Sequence, residues 1–170
     1  MATSNDTHSR NDFWKQIDEV CRDRGNRASL RRYWSDTARH QAYPVLGRLG
    51  ALRDPRRTVL AALYAVHPSH QSGTGVGRAA LRLGDRKDGE HPYDRHFRRL
   101  LASDSLEDLG HQLHRLAKRL EREAVPLDYE RLHRDLNFWK DYAEQVKVEW
   151  AADFWQAPIP HTDPEKEVSA

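Results

Sequence analysis

The first residues in this sequence that could do chemistry are the glycines of HQSGTGVGRAALRL, from His70 to Leu83. Gly73, Gly75 and Gly77 alternate with small residues, and Arg78 follows near the start of a predicted helix. Backbone N–H groups in such a segment can bind a phosphate. A dinucleotide loop, however, needs G-x-G-x-x-G after a strand, and a P-loop needs Gly-Lys-Ser or Gly-Lys-Thr. Here G-x-G-x-G follows the helical pattern TVLAALYAV and no Lys-Ser or Lys-Thr follows the glycines. A nucleotide-dependent enzyme is therefore the least favoured interpretation of this chain.

Arginines recur near the predicted helix starts. A cation in the first turn opposes the helix macrodipole by roughly 0.3–1 kcal/mol at exposed sites. The repetition is understandable if backbone N–H groups and an Arg side chain converge on one phosphate at each start. Pairing with nearby carboxylates, or with the acidic tail of another subunit, remains open as an alternative. The arginines concerned are Arg31 and Arg32 after Ser29, Arg56 and Arg57 after Asp54-Pro55, Arg78 after the glycines, and Arg95, Arg98 and Arg99 after Asp94.

The charge is unevenly distributed, although the net charge is only +2. Residues 21–101 contain 17 Lys or Arg against 7 Asp or Glu, whereas residues 121–170 contain 6 against 12. All but one of the cations in the basic block are arginines, whose planar group matches phosphate oxygens. A GC-rich genome would explain the choice of Arg over Lys but not the clustering. The distribution therefore favours a nucleic-acid partner.

A second basic stripe lies on the predicted helix Leu106–Leu120, on the side away from its leucines. It consists of Arg115, Lys118, Arg119 and Arg122. A charged helix face is ordinary by itself, so the stripe matters only if it continues a larger basic surface. The predicted nucleic-acid-binding residues are Arg31, Arg32, Arg56, Arg57, Arg78, Arg82, Arg95, Arg98, Arg99, Arg115, Lys118 and Arg119.

The histidines do not predict a metal site. His67-x-x-His70 and His111-x-x-His114 have the spacing of paired ligands, but no third ligand or cysteine pair accompanies them. The carboxylates of the last predicted helix, such as Asp135, are expected on its outer face rather than in a pocket. We therefore expect no metal, no cofactor and no catalytic residue.

The tryptophans are interpreted by their position in the helical pattern. Trp139 and Trp150 fall on an apolar face and are predicted to lie in the core, rather than to stack on bases. Trp34 beside Arg31 and Arg32 stays open between these two roles. Trp155 is a candidate for a contact between subunits.

The elements that position these residues are predicted to be helices throughout, so the fold class is all-α. Apolar residues recur every three or four positions, and no convincing strand pattern occurs. Ser105 is a predicted N-cap for the helix that carries the leucines, and Asp128 for a long final helix. Other helices are expected from about Asn11 to Arg22, from about Ser29 to Arg39, from Pro55 through TVLAALYAV, and from about Arg78.

The domain prediction is two small helical lobes in one compact protein. Residues 1–88 form the N-terminal lobe and 89–157 the C-terminal bundle, divided at the polar segment Leu83–Asp94. Residues 158–170 are expected to be a flexible tail because they are rich in proline and charge. A single cysteine, with no apolar leader or membrane span, predicts a cytoplasmic protein that does not contact a membrane.

Several segments, in their order and spacing, resemble a known family: LRRYW, RDPRR, GTGVGRAALRL, RHFRRLLASDSLEDL, QLHRLAKRL and VPLDYERLHRDLNFW. From about Phe13 to Trp155 the chain is similar to the small subunit (CasB) of the type I-E CRISPR Cascade complex. The resemblance implies an all-helical protein without a catalytic role, present in two copies beside other Cascade subunits. It further implies contacts with guide RNA, target DNA and the displaced strand. The matching positions are Arg31, Arg32, Arg56, Arg78, Arg95, Arg99 and Arg115.

The alternative in another class is a regulator of the helix-turn-helix type that reads duplex DNA. Such a protein needs a recognition helix that presents side chains to base edges, usually in a symmetric dimer. The sequence has no compact helix-turn-helix with a convincing exposed reading face. A preference for one duplex sequence would favour this alternative.

Overall fold

The computed structural model describes residues 12–156, and within them the chain is helical without a strand. Two isolated bridges are the only β-type pairings in this part. The all-α prediction is therefore confirmed. The helices are α1 (Phe13–Cys21), α2 (Arg24–Arg31), α3 (Tyr43–Arg48), α4 (Pro55–Val66), α5 (Val76–Leu81), α6 (Asp94–Leu101), α7 (Leu106–Glu123) and α8 (Tyr129–Trp155), with 3-10 turns at Arg32–Trp34 and Arg39–Ala42.

Helix α4 runs through the middle of the core. Every residue from Thr58 to Val66 is buried, as expected for a helix that is apolar on all sides. Helices α1, α2, α7 and α8 all pack against it. Asp54 caps its start by accepting hydrogen bonds from the backbone N–H groups of Arg56 (3.1 Å) and Arg57 (3.3 Å). The predicted start at Asp54-Pro55 is confirmed.

The leucine face of α7 is also confirmed. Leu109, Leu113, Leu116 and Leu120 are buried, and the Ser105 hydroxyl accepts a hydrogen bond from the Asp108 N–H at 3.1 Å. This face turns toward α4, which leaves the charged side of α7 directed away from the core. The basic stripe thus lies on the accessible side of α7.

Helix α8 bends sharply at Tyr142, whose φ of −133° and ψ of 38° are not helical. The Trp150 indole N–H donates to the Asp135 carboxylate at 2.8 Å, although these residues are 15 positions apart. In a straight helix their Cα atoms would be about 22 Å apart. The helix is therefore V-shaped, with a first arm over residues 129–141 and a second over 143–155. The sequence predicted a helix here but not the bend.

Helix α2 corrects the prediction of a helix from Ser29 to Arg39. It begins at Arg24, because the Asp23 carboxylate accepts the Asn26 N–H at 2.8 Å and so supplies an earlier cap. The chain leaves the α-helix after Arg31 and tightens into a 3-10 turn that carries Trp34. There the indole N–H donates to the Ala62 carbonyl of α4 at 3.0 Å.

The division into two lobes and the flexible tail both stay predictions. The buried cluster contains residues from both sides of residue 88, and the division into lobes stays a prediction. The predicted tail at 158–170 lies outside the described residues, as does the predicted helix start at Asn11.

Candidate nucleic-acid interface

The glycine-rich segment is bound to its own chain. The Gly73 N–H, at a residue with φ of +87°, donates to the Asp128 carboxylate at 2.9 Å. Asp128 is buried, caps α8 through the Arg131 N–H at 2.9 Å, and donates its own N–H to the Thr74 carbonyl at 2.7 Å. A backbone donor that a nucleotide phosphate would need is thus already used by a carboxylate of the protein. The segment leads from α4 into α5 and is hydrogen-bonded to the cap residue of α8, and this argues against a nucleotide loop.

Arg31 and Arg32 are not at a helix start, which corrects the prediction for this pair. Arg31 lies in the last turn of α2, and Arg32 opens the 3-10 turn that follows. At this end of a helix a cation is favoured by the macrodipole. Both side chains are exposed, and Arg32 donates to the Gln41 side-chain oxygen.

Arg56 and Arg57 do lie in the first turn of α4, as predicted, but both are half-buried. Arg57 pairs with Asp54 (Nε to Oδ2, 3.6 Å) and lies over the Phe13 ring at 4.9 Å. Arg56 donates to the Asn137 carbonyl at 3.3 Å. Since Asp54 already accepts the first backbone N–H groups, this helix start is largely satisfied within the protein.

Arg78, on α5, and Arg82, directly after it, are both exposed. Arg78 is the third residue of this short helix, and Arg82 follows its last residue. Arg82 contacts the Gln71 side-chain oxygen at 3.4 Å. The expected helix near Arg78 is confirmed with a start at Val76.

The three arginines after Asp94 divide between the two ends of α6. Arg95 lies in the first turn, whereas Arg98 and Arg99 lie in the last, so only Arg95 fits the predicted arrangement. Arg98 pairs with Asp94 at 2.6 Å and stacks on the Trp155 ring at 5.1 Å. Intramolecular ion pairing, which the sequence left open, thus accounts for Arg98.

The basic stripe of α7 forms one wall of a groove of about 260 Å³, which we call the α7 groove. Tyr93 and His96, at the start of α6, form the opposite wall. No Asp or Glu is among the described residues that line it. Converging cations of this kind bind the phosphate backbone, although Glu123, outside the lining, pairs with one of them, Arg119. The lining residues are Leu83, Pro92, Tyr93, His96, Arg115, Lys118, Arg119 and Arg122.

Arg119 and Tyr93 contribute two hydrogen-bond donors to the lining of the α7 groove. The Nε of Arg119 is buried and has no hydrogen-bond acceptor within residues 12–156, although it lies 3.6 Å from Glu123 Oε1. Burial raises the pKa of Tyr93 to about 12, with Arg119 and Arg115 acting in the opposite direction. The phenol is therefore protonated at neutral pH and can donate a hydrogen bond.

Sequence reasoning found the cations of this groove but missed Tyr93 and His96. The stripe on α7 follows from helical periodicity alone. The two missed residues reach the groove only because α6 packs beside α7. Their three-residue spacing, which places them on one side of a helix start, was the one available signal.

The tryptophans and histidines have structural contacts. Trp139 and Trp150 are buried, as predicted, while Asp135 is half-buried under Trp150 rather than on an outer face. Burial raises the pKa of the Asp135 carboxyl, and the Trp150 N–H partly opposes this. The Trp155 indole donates to Asp94 within the chain at 3.0 Å, and its role between subunits stays a prediction.

Trp34 is half-buried and stacks on His114, with ring centroids 4.4 Å apart and an interplanar angle of 6°. This contact favours the packing role for Trp34 over base stacking. His67 is buried against the hydroxyl of Tyr129, its Nδ1 lying 2.9 Å away. Within the described residues, no group of three or more His, Cys, Asp or Glu could hold a metal ion.

His114 predicts a dependence of stability on pH. Burial lowers its pKa from 6.5 to about 4, and Lys118 and His111 act in the same direction. Between these values the unfolded chain binds the proton and the folded chain does not, so this residue makes stability fall as the pH falls. We expect His114→Phe, which keeps a ring on Trp34, to lose less Tm than the wild type between pH 8 and pH 5.

Thermal melts of both proteins at each pH measure this difference. His40→Phe is the control, because His40 is exposed. Equal losses of Tm in the wild type and His114→Phe would show that His114 does not titrate in this way.

No helix in the described part of the chain has both the length and the apolar character needed to cross a bilayer.

A family model and several similar solved structures point to the same protein family. A family model described as CRISPR-associated protein Cse2 matches residues 26–155. The structure is similar to a Cse2-family CRISPR-associated protein from Thermus thermophilus, with a TM-score of 0.68, 24% identity, and 88% and 97% of the two chains covered. It is also similar to CasB from Thermobifida fusca (TM-score 0.68, 23% identity, 87% and 96% covered) and from M. ruber (0.63, 20%, 85% and 93%). No curated protein matches the chain.

Proposed function

Because the chain belongs to the CRISPR-associated Cse2 family, we propose that it is a non-catalytic subunit of a type I-E Cascade complex that binds nucleic acid. Its proposed partners are guide RNA, target DNA with its displaced strand, the other Cascade subunits and a second copy of itself. In this role it works in the cytoplasm and needs no cofactor.

The observation that carries the nucleic-acid proposal is the α7 groove. Its four cations and its Tyr93 phenol line one depression without a carboxylate among the described residues. Cation clusters of this kind bind the phosphate backbone independently of base sequence. Such binding suits a subunit of a guided complex, because the guide RNA already supplies sequence recognition.

The other predicted arginines are proposed as additional phosphate contacts. Six of them are exposed and form no salt bridge within the described residues, so they are accessible for this: Arg31, Arg32, Arg78, Arg82, Arg95 and Arg99. Arg57 and Arg98 are engaged by Asp54 and Asp94, so we expect smaller contributions from them. An R-loop is a near-balanced exchange of one duplex for another, so a few such contacts can shift it toward the open form.

The test is fluorescence anisotropy of unrelated single-stranded DNA, duplex DNA and RNA titrated with the protein over a salt series. We expect affinity that is indifferent to sequence and falls with salt, at a slope of about −0.7 per phosphate contact on single strands. Absence of binding to all three at low salt would contradict the proposal. A strong preference for one duplex sequence would instead favour a regulator.

A further inference from the structure

Two aromatic side chains stand uncovered at the bend of α8. Phe138 is 50% exposed and Tyr142 is 52% exposed, and their ring centroids are 6.1 Å apart in an edge-to-face pair. Tyr43, 44% exposed, is another strongly exposed ring, but it has no ring partner among the described residues. We call the pair the 138/142 ridge. It projects where the two arms of α8 meet, so a partner can reach it from either side.

A groove runs along each side of the ridge. One, of about 660 Å³, lies between the first arm of α8 and the start of α4, and Arg56 and Asn137 contribute to its lining. The other, of about 490 Å³, lies between the two arms. Arg134, Phe138 and Tyr142 line both grooves. A ridge between two grooves has the shape of an anchor that a partner can surround with apolar side chains.

The charges around the ridge are of both signs. Arg134 is exposed and forms no salt bridge within residues 12–156, although its charge favours the ionised form of the neighbouring Asp135 carboxyl. The carboxylates of the first groove are Asp54, Glu130 and Asp141, beside Arg56 and Arg57, and those of the second are Asp135 and Glu149, beside Arg131. These carboxylates would repel a phosphate backbone, whereas no Asp or Glu of residues 12–156 is among those that line the α7 groove. Exposed aromatic rings beside arginine, with a rim of mixed charge, are typical of protein–protein interfaces.

We propose that the 138/142 ridge is the docking surface for a protein subunit of the complex. The partner places apolar side chains in the two grooves, an Asp or Glu against Arg134, and a Lys or Arg against Glu130 and Asp141. The inference rests on the proposed function, since it takes the partner from the same complex. It assigns the α7 groove to nucleic acid and the 138/142 ridge to protein, and it places Arg56 and Arg57, which line the first groove, against the protein partner.

The experiment is co-expression of the full chain with the other protein subunits and guide RNA of its complex, followed by capture through a tag on a different subunit. We expect Phe138→Ala/Tyr142→Ala to co-purify about tenfold less than the wild type, as for the loss of an interface anchor. Tyr43→Ala is the matched control and is expected to co-purify as the wild type does. The isolated double variant is expected to keep wild-type affinity for single-stranded DNA.

Arg134→Glu is the second variant, because it changes an exposed side chain and leaves the packing intact. It is expected to reduce co-purification, and wild-type retention of both variants would overturn the proposal. Lost affinity for single-stranded DNA in the isolated double variant would assign the ridge to bases and overturn it too. A wild-type chain that fails to co-purify would refute the proposed function, and the inference with it.

Discussion

Gly77→Ala is expected to lower the free energy of unfolding by about 3 kcal/mol, the upper end of the usual range for an overpacked core. Gly77 is the second residue of α5, where α5 packs against the second arm of α8. An added Cβ would lie 2.7 Å from the Asp153 Cβ and 3.1 Å from the Phe154 N, and closer still to the Trp150 carbonyl oxygen. Two of these three atoms belong to the backbone and cannot rotate away, so the overlap is relieved only if α5 and α8 move apart.

The better helix propensity of alanine offsets at most about 1 kcal/mol of this strain. For a chain of this length, a loss of about 3 kcal/mol corresponds to a decrease in Tm of roughly 10 °C. Circular dichroism melts of the wild type and the variant measure it directly. The third glycine of HQSGTGVGRAALRL is thus explained by close helix packing rather than by a phosphate.

Gly47→Ala is the matched control, because it adds the same methyl group inside a helix. There the new Cβ would lie 3.2 Å from Cδ1 of Leu52, the end of a side chain that is 51% exposed and free to move. We expect this variant to melt within a few degrees of the wild type. Indistinguishable melting of Gly77→Ala and Gly47→Ala would mean that the α5–α8 contact yields without strain.

Features that depend on neighbours along the chain could be predicted from the sequence. The leucine face of α7 and the caps at Asp54, Ser105 and Asp128 were each found correctly. A cap bonds to N–H groups two or three residues ahead, and a helix face follows from 3.6 residues per turn. Neither requires knowledge of the tertiary fold, which is why they could be found.

Features that depend on distant residues could not be predicted. Asp23 and Ser29 can each cap a helix, and the structure uses Asp23. With this start, Leu30 is buried and the Trp34 indole donates to a carbonyl of α4, and both of these contacts involve residues far away in the sequence. The outer-face prediction for Asp135 was wrong because it assumed a straight helix, whereas the bend at Tyr142 brings Trp150 onto it. Local periodicity carries no signal for such a bend.

The same distinction applies to the candidate interface. Arg115, Lys118 and Arg119 were recognised as one stripe because they share a helix face. Whether a stripe lies on a flat surface or in a groove depends on the helix beside it, here α6 with Tyr93 and His96. The arginines at helix starts were grouped by a common local position, and the structure gives that position to only some of them.

Neutralising the α7 groove is expected to have the largest effect on nucleic-acid binding. The variant Arg115→Gln/Lys118→Gln/Arg122→Gln removes three exposed cations and leaves Arg119, which pairs with Glu123. If each holds one phosphate, the slope of log affinity against log salt becomes shallower by about 2 on single strands. At 0.1 M salt, the same relation corresponds to a loss of affinity on the order of 100-fold. Anisotropy titrations over a salt series measure both quantities.

Net charge alone weakens binding to any polyanion, so the control must lose the same charge elsewhere. Arg24→Gln/Arg53→Gln/Lys140→Gln does so at three exposed positions outside the predicted interface. We expect this variant to keep nearly the wild-type salt slope, because counterions are released only where a cation contacts a phosphate. Equal losses in the two triple variants would show that overall charge governs binding and that the α7 groove is not the contact surface. A groove-specific loss that is the same for every sequence would establish a phosphate-backbone site and exclude base readout.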